Sequence, residues 1–307
     1  MLSSIVAFWL YYSWLGERKR HLSTLSKAGL DVPSRQSVHY DQSSMFNILA
    51  YSGSDDIKNF RSFTDRFTSL AEVTAGMKRA GLECCHVLIG IDFTASNEWQ
   101  GRRSFKRNCL HTIVAKGLNP YQKVISVLGE ALEPFLGGPI HAFGFGDQRT
   151  RNKGVFSLNS GGNPCVTFSE VLQHYNSVCR TVCLAGPTSF APIITKAIEM
   201  VQKQRRYHML VIISDGQMKD ERETVDALIY ASYFPLSLVM VGVGDGPWNT
   251  MEIFDDLIPR RKFDNFQFVD FNKAYSRTGK NADAAFALQA LMEIPDQYKA
   301  IKNLGYI

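Results

Sequence analysis

HVLIGIDFTASNEW (residues 86–99) and HMLVIISDG (residues 208–216) each carry a near-continuous apolar run into an aspartate, Asp92 in the first and Asp215 in the second. Apolar runs of this length without alternation belong to strands buried on both faces, as in parallel sheets covered by helices. After Asp92 a hydroxyl residue stands at every second position, Thr94 and then Ser96, so a buried strand ends in oxygen ligands.

Further apolar, β-branched runs appear as IHAFGFG (140–146), PLSLVMVGVG (235–244) and FQFVDF (266–271), with VFSLNS (155–160) reading as a short edge strand. Between most of them lie segments of helical periodicity at 121–136, 168–178, 190–204, 221–233 and 250–257. Ahead of the first strand, TSLAEVTAGMKRAGLE (68–83) offers Thr68 or Ser69 as an N-cap and Gly81 as a stop. Alternating strands and helices predict an α/β fold, a doubly wound and mostly parallel sheet with helices on both faces.

Such sheets bind ligands beyond the carboxyl ends of their strands, where the connections diverge. Asp92, Thr94 and Ser96 end one strand there, Asp215 ends another, and the loop LAGPTSFAP (184–192) brings Thr188 just ahead of a helix. All five are hard oxygen donors, a set that suits Mg²⁺ or Mn²⁺ and offers no sulfur or imidazole. Taken singly, each has an ordinary alternative: Thr188 and Ser189 are candidate helix N-caps, and Asp215-Gly216 is a common turn.

Composition narrows the remaining classes. The 307 residues are 45% hydrophobic and 21% charged, ordinary for a globular protein, and the net charge of +5 is spread along the chain, so nucleic acid is not expected. The cysteines at 84, 85, 109, 165, 179 and 183 lack paired C-x-x-C spacing and read as free thiols in a reducing compartment. GFGDQ (144–148) and GVGDGPW (242–248) lack the spaced glycines and lysine of a phosphate loop and read as strand exits. His86, His111, His141 and His208 sit in or beside apolar runs without a placed nucleophile, so they read as packed histidines; no catalytic residue is assigned.

The organisation expected is an apolar N-terminal segment (1–16), a polar linker (17–65) and one domain (66–307). The first segment is uncharged and aromatic, and Arg18, Lys19 and Arg20 follow it. It is shorter than a spanning helix and has the wrong charge order for a secretory signal. Residues 2–15 read either as a short membrane contact that leaves the domain in the cytoplasm, or as a terminal helix docked on protein. A nuclear location is compatible with the same features.

DFTASNEW (92–99), LAGPTSFAPII (184–194) and IISDGQ (212–217) resemble the metal-ion-dependent adhesion site of a von Willebrand factor A domain in its copine form. The resemblance continues through NPYQKVISVLGEAL (119–132), HAFGFGD (141–147), PLSLVMVGVGDGPW (235–248), FDNFQFVDF (263–271) and ALMEIPDQYKAI (290–301), where it is nearest to the copine-like domain of plant RING ubiquitin ligases of the RGLG type. It implies that Asp92, Thr94, Ser96, Thr188 and Asp215 hold the ion, hydroxyls directly and aspartates often through water, with Thr94 where integrin-type sites have serine. Copines carry two lipid-binding modules ahead of this domain, and the ligases a RING after it. The sequence contains neither, so autonomous ubiquitin transfer is not expected.

The function expected is therefore divalent-metal-dependent capture of a protein that presents an acidic residue, with Asn97, Arg102, Arg103 and Ser189 forming the partner-facing rim. The basic runs GRRSFKR (101–107) and PRRK (259–262) read as a collar favouring acidic partners, or as ordinary solvated surface. The alternative function is a substrate-binding subunit in ubiquitination that borrows a RING or ubiquitin-conjugating partner.

Overall fold

A computed structural model describes residues 67–216, 221–258, 260–276 and 281–307. The expected N-terminal segment (1–16) and linker (17–65) lie outside the described residues. Among the described residues no helix is long and apolar enough to cross a membrane.

The sheet has six strands in the order β3-β2-β1-β4-β5-β6, formed by β1 (His86–Asp92), β2 (His141–Phe145), β3 (Val155–Ser157), β4 (His208–Ser214), β5 (Leu236–Gly242) and β6 (Phe266–Asp270). Every neighbouring pair is parallel except β2 with β3, so VFS, expected as a short edge strand, runs antiparallel to its neighbour. Strands β4 and β5 are buried along their whole length, as their unbroken apolar sequences require.

Alternation splits the strands between two helical layers. Val87, Ile89 and Ile91 of β1 and Met209, Val211 and Ile213 of β4 share a core with α1 (Leu70–Arg79), α2 (Pro120–Leu132) and α3 (Phe168–Val178). The last two helices, α8 (Ala282–Leu291) and α9 (Ile294–Asn303), join the same core. Residues of opposite parity face α4 (Ala191–Gln204) and α5 (Glu221–Ala231); a Cβ on Gly90 would lie 2.7 Å from Ile193 Cγ1, so glycine lets α4 settle onto β1. Two further helices, α6 (Asn249–Leu257) and α7 (Phe271–Ser276), flank β6. Each fully buried Val, Ile or Leu contributes about 1.5–3 kcal/mol, so this double layer is stabilised without help from its rim.

Local signals place the helix starts. Ser69 caps α1 by accepting from Glu72 N, and Asn119 and Gln122 form a reciprocal capping box on α2 with Pro120 in its first turn. The helix expected over 121–136 divides, because Pro134 lacks an amide proton to continue the ladder and a separate 3₁₀ turn forms over Glu133–Phe135.

The chain leaves β1 toward β2 on one side and leaves β4 toward β5 on the other. The switch point therefore falls between the carboxyl ends of β1 and β4, where Asp92 and Asp215 stand.

Candidate metal centre

Register builds the site. Ile91 pairs with Ile213, so the next residues, Asp92 and Ser214, are neighbours on the α4 side of the sheet, and Ser214 Oγ donates to Asp92 Oδ2. Asp92 Oδ1 accepts from Thr94 N at 2.9 Å, which turns the chain sharply out of β1 and into a 3₁₀ turn at Ala95–Glu98. That turn carries Thr94 and Ser96 to one point, with their hydroxyl oxygens 3.0 Å apart.

Thr188 arrives from a second loop. Thr94 forms an isolated parallel bridge with Ala185, in which Ala95 N donates to Ala185 O at 2.7 Å and Ala185 N to Phe93 O at 3.3 Å. This lacing sets Thr188 Oγ1 to donate to Thr94 Oγ1 at 3.3 Å. The alternative helix-capping role falls away: α4 is preceded by Phe190 with no side-chain cap, and Ser189 Oγ is buried without a hydrogen-bond partner among the described residues.

Asp92 and Asp215 are both fully buried. Asp92 receives neutral donors, and among the described residues no lysine or arginine reaches it. Burial raises its carboxyl above the usual carboxylate range, opposed by the hydrogen bonds from Ser214 and Thr94. Asp215 follows Ser214, and the charges of both aspartates push the nearby Tyr121 phenol upward after burial has done most of it. Buried carboxylates beside three convergent hydroxyls match the donor chemistry of Mg²⁺ or Mn²⁺, so these residues fit such an ion. Among the described residues no cluster of three His, Cys, Asp or Glu side chains forms a softer metal site.

Glycines give the site its floor. Gly146, at φ +82°, leaves β2 beneath the turn, where a Cβ would come within 2.4 Å of Thr94 Cγ2 and 3.4 Å of Asp92 Oδ1. Gly216, at φ +94°, lies under the Trp248 indole, and a Cβ there would fall 1.6 Å from Cζ3. Gly146 is a strand exit as GFGDQ suggests, and Gly216 makes the turn expected of Asp215-Gly216.

The expected rim divides. Arg102 and Arg103 are exposed on a loop whose backbone is clamped by Asp245, with Arg103 N donating to Oδ2 at 2.7 Å and Ser104 N to Oδ1 at 2.9 Å. Asn97 and Ser189 are buried and do not present themselves to a partner. Asn97 points inward because its amide donates to Thr94 O at 3.0 Å and Asp92 O at 3.3 Å. Trp99, unremarked in the sequence reading, is 44% exposed immediately after the turn. The second basic run is no uniform collar, since Arg261 is buried, paired with Asp264 at 3.0 Å and bonded to Ile258 O.

Beneath Asp92 lies a buried polar network that spacing alone did not reveal. His111 Nε2 is 2.8 Å from Asp92 O and its Nδ1 is 2.9 Å from Tyr175 OH. A carbonyl only accepts, so Nε2 carries the proton and Nδ1 accepts from the tyrosine. Burial pushes His111 down to about 3, against the hydrogen bond to Asp92 O, so the ring is neutral at physiological pH.

The Copine family model matches residues 109–307. This chain belongs to the copine family. Its copine relatives include copine family protein 1 of Caenorhabditis elegans, 43% identical over 293 residues that make up 93% of this chain and 26% of that protein. The E3 ubiquitin-protein ligase RGLG5 of Arabidopsis thaliana is 42% identical over 304 residues, covering 89% of the copine-family chain and 70% of the ligase. Among solved structures, the manganese-loaded Plasmodium vivax TRAP protein aligns with 66% of this chain and 74% of its own, at 14% identity and a TM-score of 0.43.

Proposed function

We propose that this copine-family domain binds a divalent cation, Mg²⁺ or Mn²⁺, and through it captures a protein that presents an acidic side chain. The observation that carries the reading is the convergence of Thr94, Ser96 and Thr188 hydroxyls from two loops laced together beside the buried Asp92. Asp92 and Asp215 supply negative charge, and the hydroxyls supply neutral oxygens that leave the ion electrophilic. When bound, the ion offers an exchangeable position to a partner carboxylate. Arg102 and Arg103 attract acidic surfaces toward that position. Hydrolysis is a poorer match, because a single hydroxyl-rich magnesium site is better suited to holding a partner's carboxylate.

The test is capture of binding proteins by the full chain in Mg²⁺, in excess chelator, and after Thr188→Ala. Capture that depends on both the ion and Thr188 supports the reading, whereas capture unchanged by chelator sinks it.

A second reading is favoured by the 42% identity to RGLG5 over 89% of this chain: a substrate-binding role in ubiquitination beside a separate RING or ubiquitin-conjugating partner. Adding such partners to the captured complex and following ubiquitin transfer separates it from simple adaptor function.

A further inference from the structure

The carbonyl of Asp92 is the last acceptor of β1, and three side chains converge on it. His111 Nε2 lies at 2.8 Å, Tyr121 OH at 3.2 Å and Asn97 Nδ2 at 3.3 Å. Tyr121 has one proton and shares it with Asn97 Oδ1 at 2.7 Å, so the imidazole is the strongest undivided donor. The donors reach this atom from different places: Asn97 from the 3₁₀ turn itself, His111 from the loop before α2, and Tyr121 from the first turn of α2.

The imidazole is itself held. It stacks on Phe93 and Tyr121 with centroids at 4.7 and 4.2 Å. Tyr175 of α3 donates to its Nδ1 and in turn accepts from Asn119 Nδ2 at 3.1 Å. Asn119 also caps α2 through Gln122 N at 2.8 Å. A directed chain of donors thus runs from the α2 cap through Tyr175 and His111 to the backbone of Asp92. On the other side of that backbone, Asp92 Oδ1 holds Thr94 N, and Asn97 Nδ2 holds Thr94 O at 3.0 Å.

We propose that His111 is a positioning residue for the ion: it touches none of the five oxygen donors, yet fixes the peptide from which Asp92, Thr94 and Ser96 project, with Tyr121 assisting. The inference rests on the metal reading given above. Partners that orient metal ligands typically govern affinity by about 10- to 100-fold, because an ion with short bonds tolerates little ligand disorder.

The experiment measures Mn²⁺ affinity of the full chain by electron paramagnetic resonance of the free ion, alongside melting temperature in chelator. His111→Phe retains a stacking ring and loses the donor; His111→Gln restores an N–H at about the reach of Nε2. The expected result is about tenfold or greater weakening in His111→Phe and recovery of most of that loss in His111→Gln. A folded His111→Phe protein with wild-type affinity overturns the inference and leaves the metal reading intact. Equal weakening in both variants also overturns it, since packing and not the donor would then govern. If His111→Phe fails to fold, Tyr121→Phe, which deletes one hydroxyl at the same carbonyl, decides: roughly threefold weakening supports the inference and unchanged affinity overturns it. Wild-type protein that takes up no Mn²⁺ overturns the metal reading and this inference together.

Discussion

At the carboxyl ends of β1 and β4 the chain buries Asp92 and Asp215; at the amino ends of the same two strands it buries His208 and sets His86 directly beside it, ring centroids 5.0 Å apart, with His141 opening β2. Burial acts on both ends with opposite sign. It raises Asp92, so the anion is disfavoured, and it lowers His208 to about 4 and His86 and His141 below their ordinary value, so the cations are disfavoured. Arg206 adds to the effect on His86, and His86 and Lys196 add to it on His141. The difference lies in what relieves each penalty. On the metal reading proposed above, a divalent ion would convert the disfavoured Asp92 anion into a ligand, whereas the imidazoles are most stable uncharged. The amino end is itself only half satisfied, since both ring nitrogens of His208 are bonded while those of His86 are buried without a hydrogen-bond partner among the described residues.

The sharpest way to break this comparison is Asp92→Asn, which keeps the shape and an acceptor for Thr94 N but removes the charge. In wild type, Mn²⁺ at about ten times its Kd stabilises by roughly 1.4 kcal/mol, a rise of about 4 °C in melting temperature. In Asp92→Asn that rise should vanish, while the melting temperature in chelator equals or exceeds wild type. A variant still stabilised by Mn²⁺ to the same extent would show that the carboxyl end does not receive the ion.

The amino end should respond to acid. Groups with depressed folded-state values bind fewer protons than the unfolded chain, so stability is complete above about 6.5 and declines as pH falls toward 4. Asp92 contributes the reverse slope, since its protonation at low pH is favoured by the fold. Measured in the Asp92→Asn background, the melting temperature should therefore drop by about 3 °C between pH 7 and pH 5. His208→Asn keeps a donor for Arg206 O, the partner of Nδ1 at 2.7 Å, and should lessen that slope, leaving the part that the other depressed imidazoles, His111 above all, contribute. An unaltered slope would mean that this histidine carries none of the linkage.

The smallest effect belongs to the surface. Arg102→Ala with Arg103→Ala should weaken capture of an acidic partner about threefold in low salt and less at 0.5 M, because exposed charges are screened. A loss that persists undiminished in high salt would place these side chains in direct, desolvated contact with the partner.

Strand identity was readable because a central parallel strand admits little except apolar residues, and LVIIS or LVMVG can be placed without tertiary knowledge. The gathering of Asp92, Thr94, Ser96 and Thr188 was readable too, since strand ends and a pre-helix loop meet at the switch point of this topology. Orientation was not. Asn97 looks like a rim residue until Tyr121, 24 positions later, turns it inward. Ser214 reads as one more strand residue until the register with Ile91 sets it against Asp92. The final helices were legible only through family resemblance, because α8 (ADAAFALQAL) is apolar on nearly every side and shows no clean stripe.

Trp248 is only 9% exposed and lies over Gly216, the residue after Asp215, while Trp99 is 44% exposed at the end of the Asp92 turn. Among the described residues these are a dry and a wet fluorophore, one near each aspartate, and Trp9 and Trp14 are the chain's other two tryptophans. With Trp9 and Trp14 replaced by phenylalanine, iodide should extinguish the red-shifted emission of Trp99 and spare the blue-edge emission of Trp248, so light can report separately on the two loops that meet at the rim.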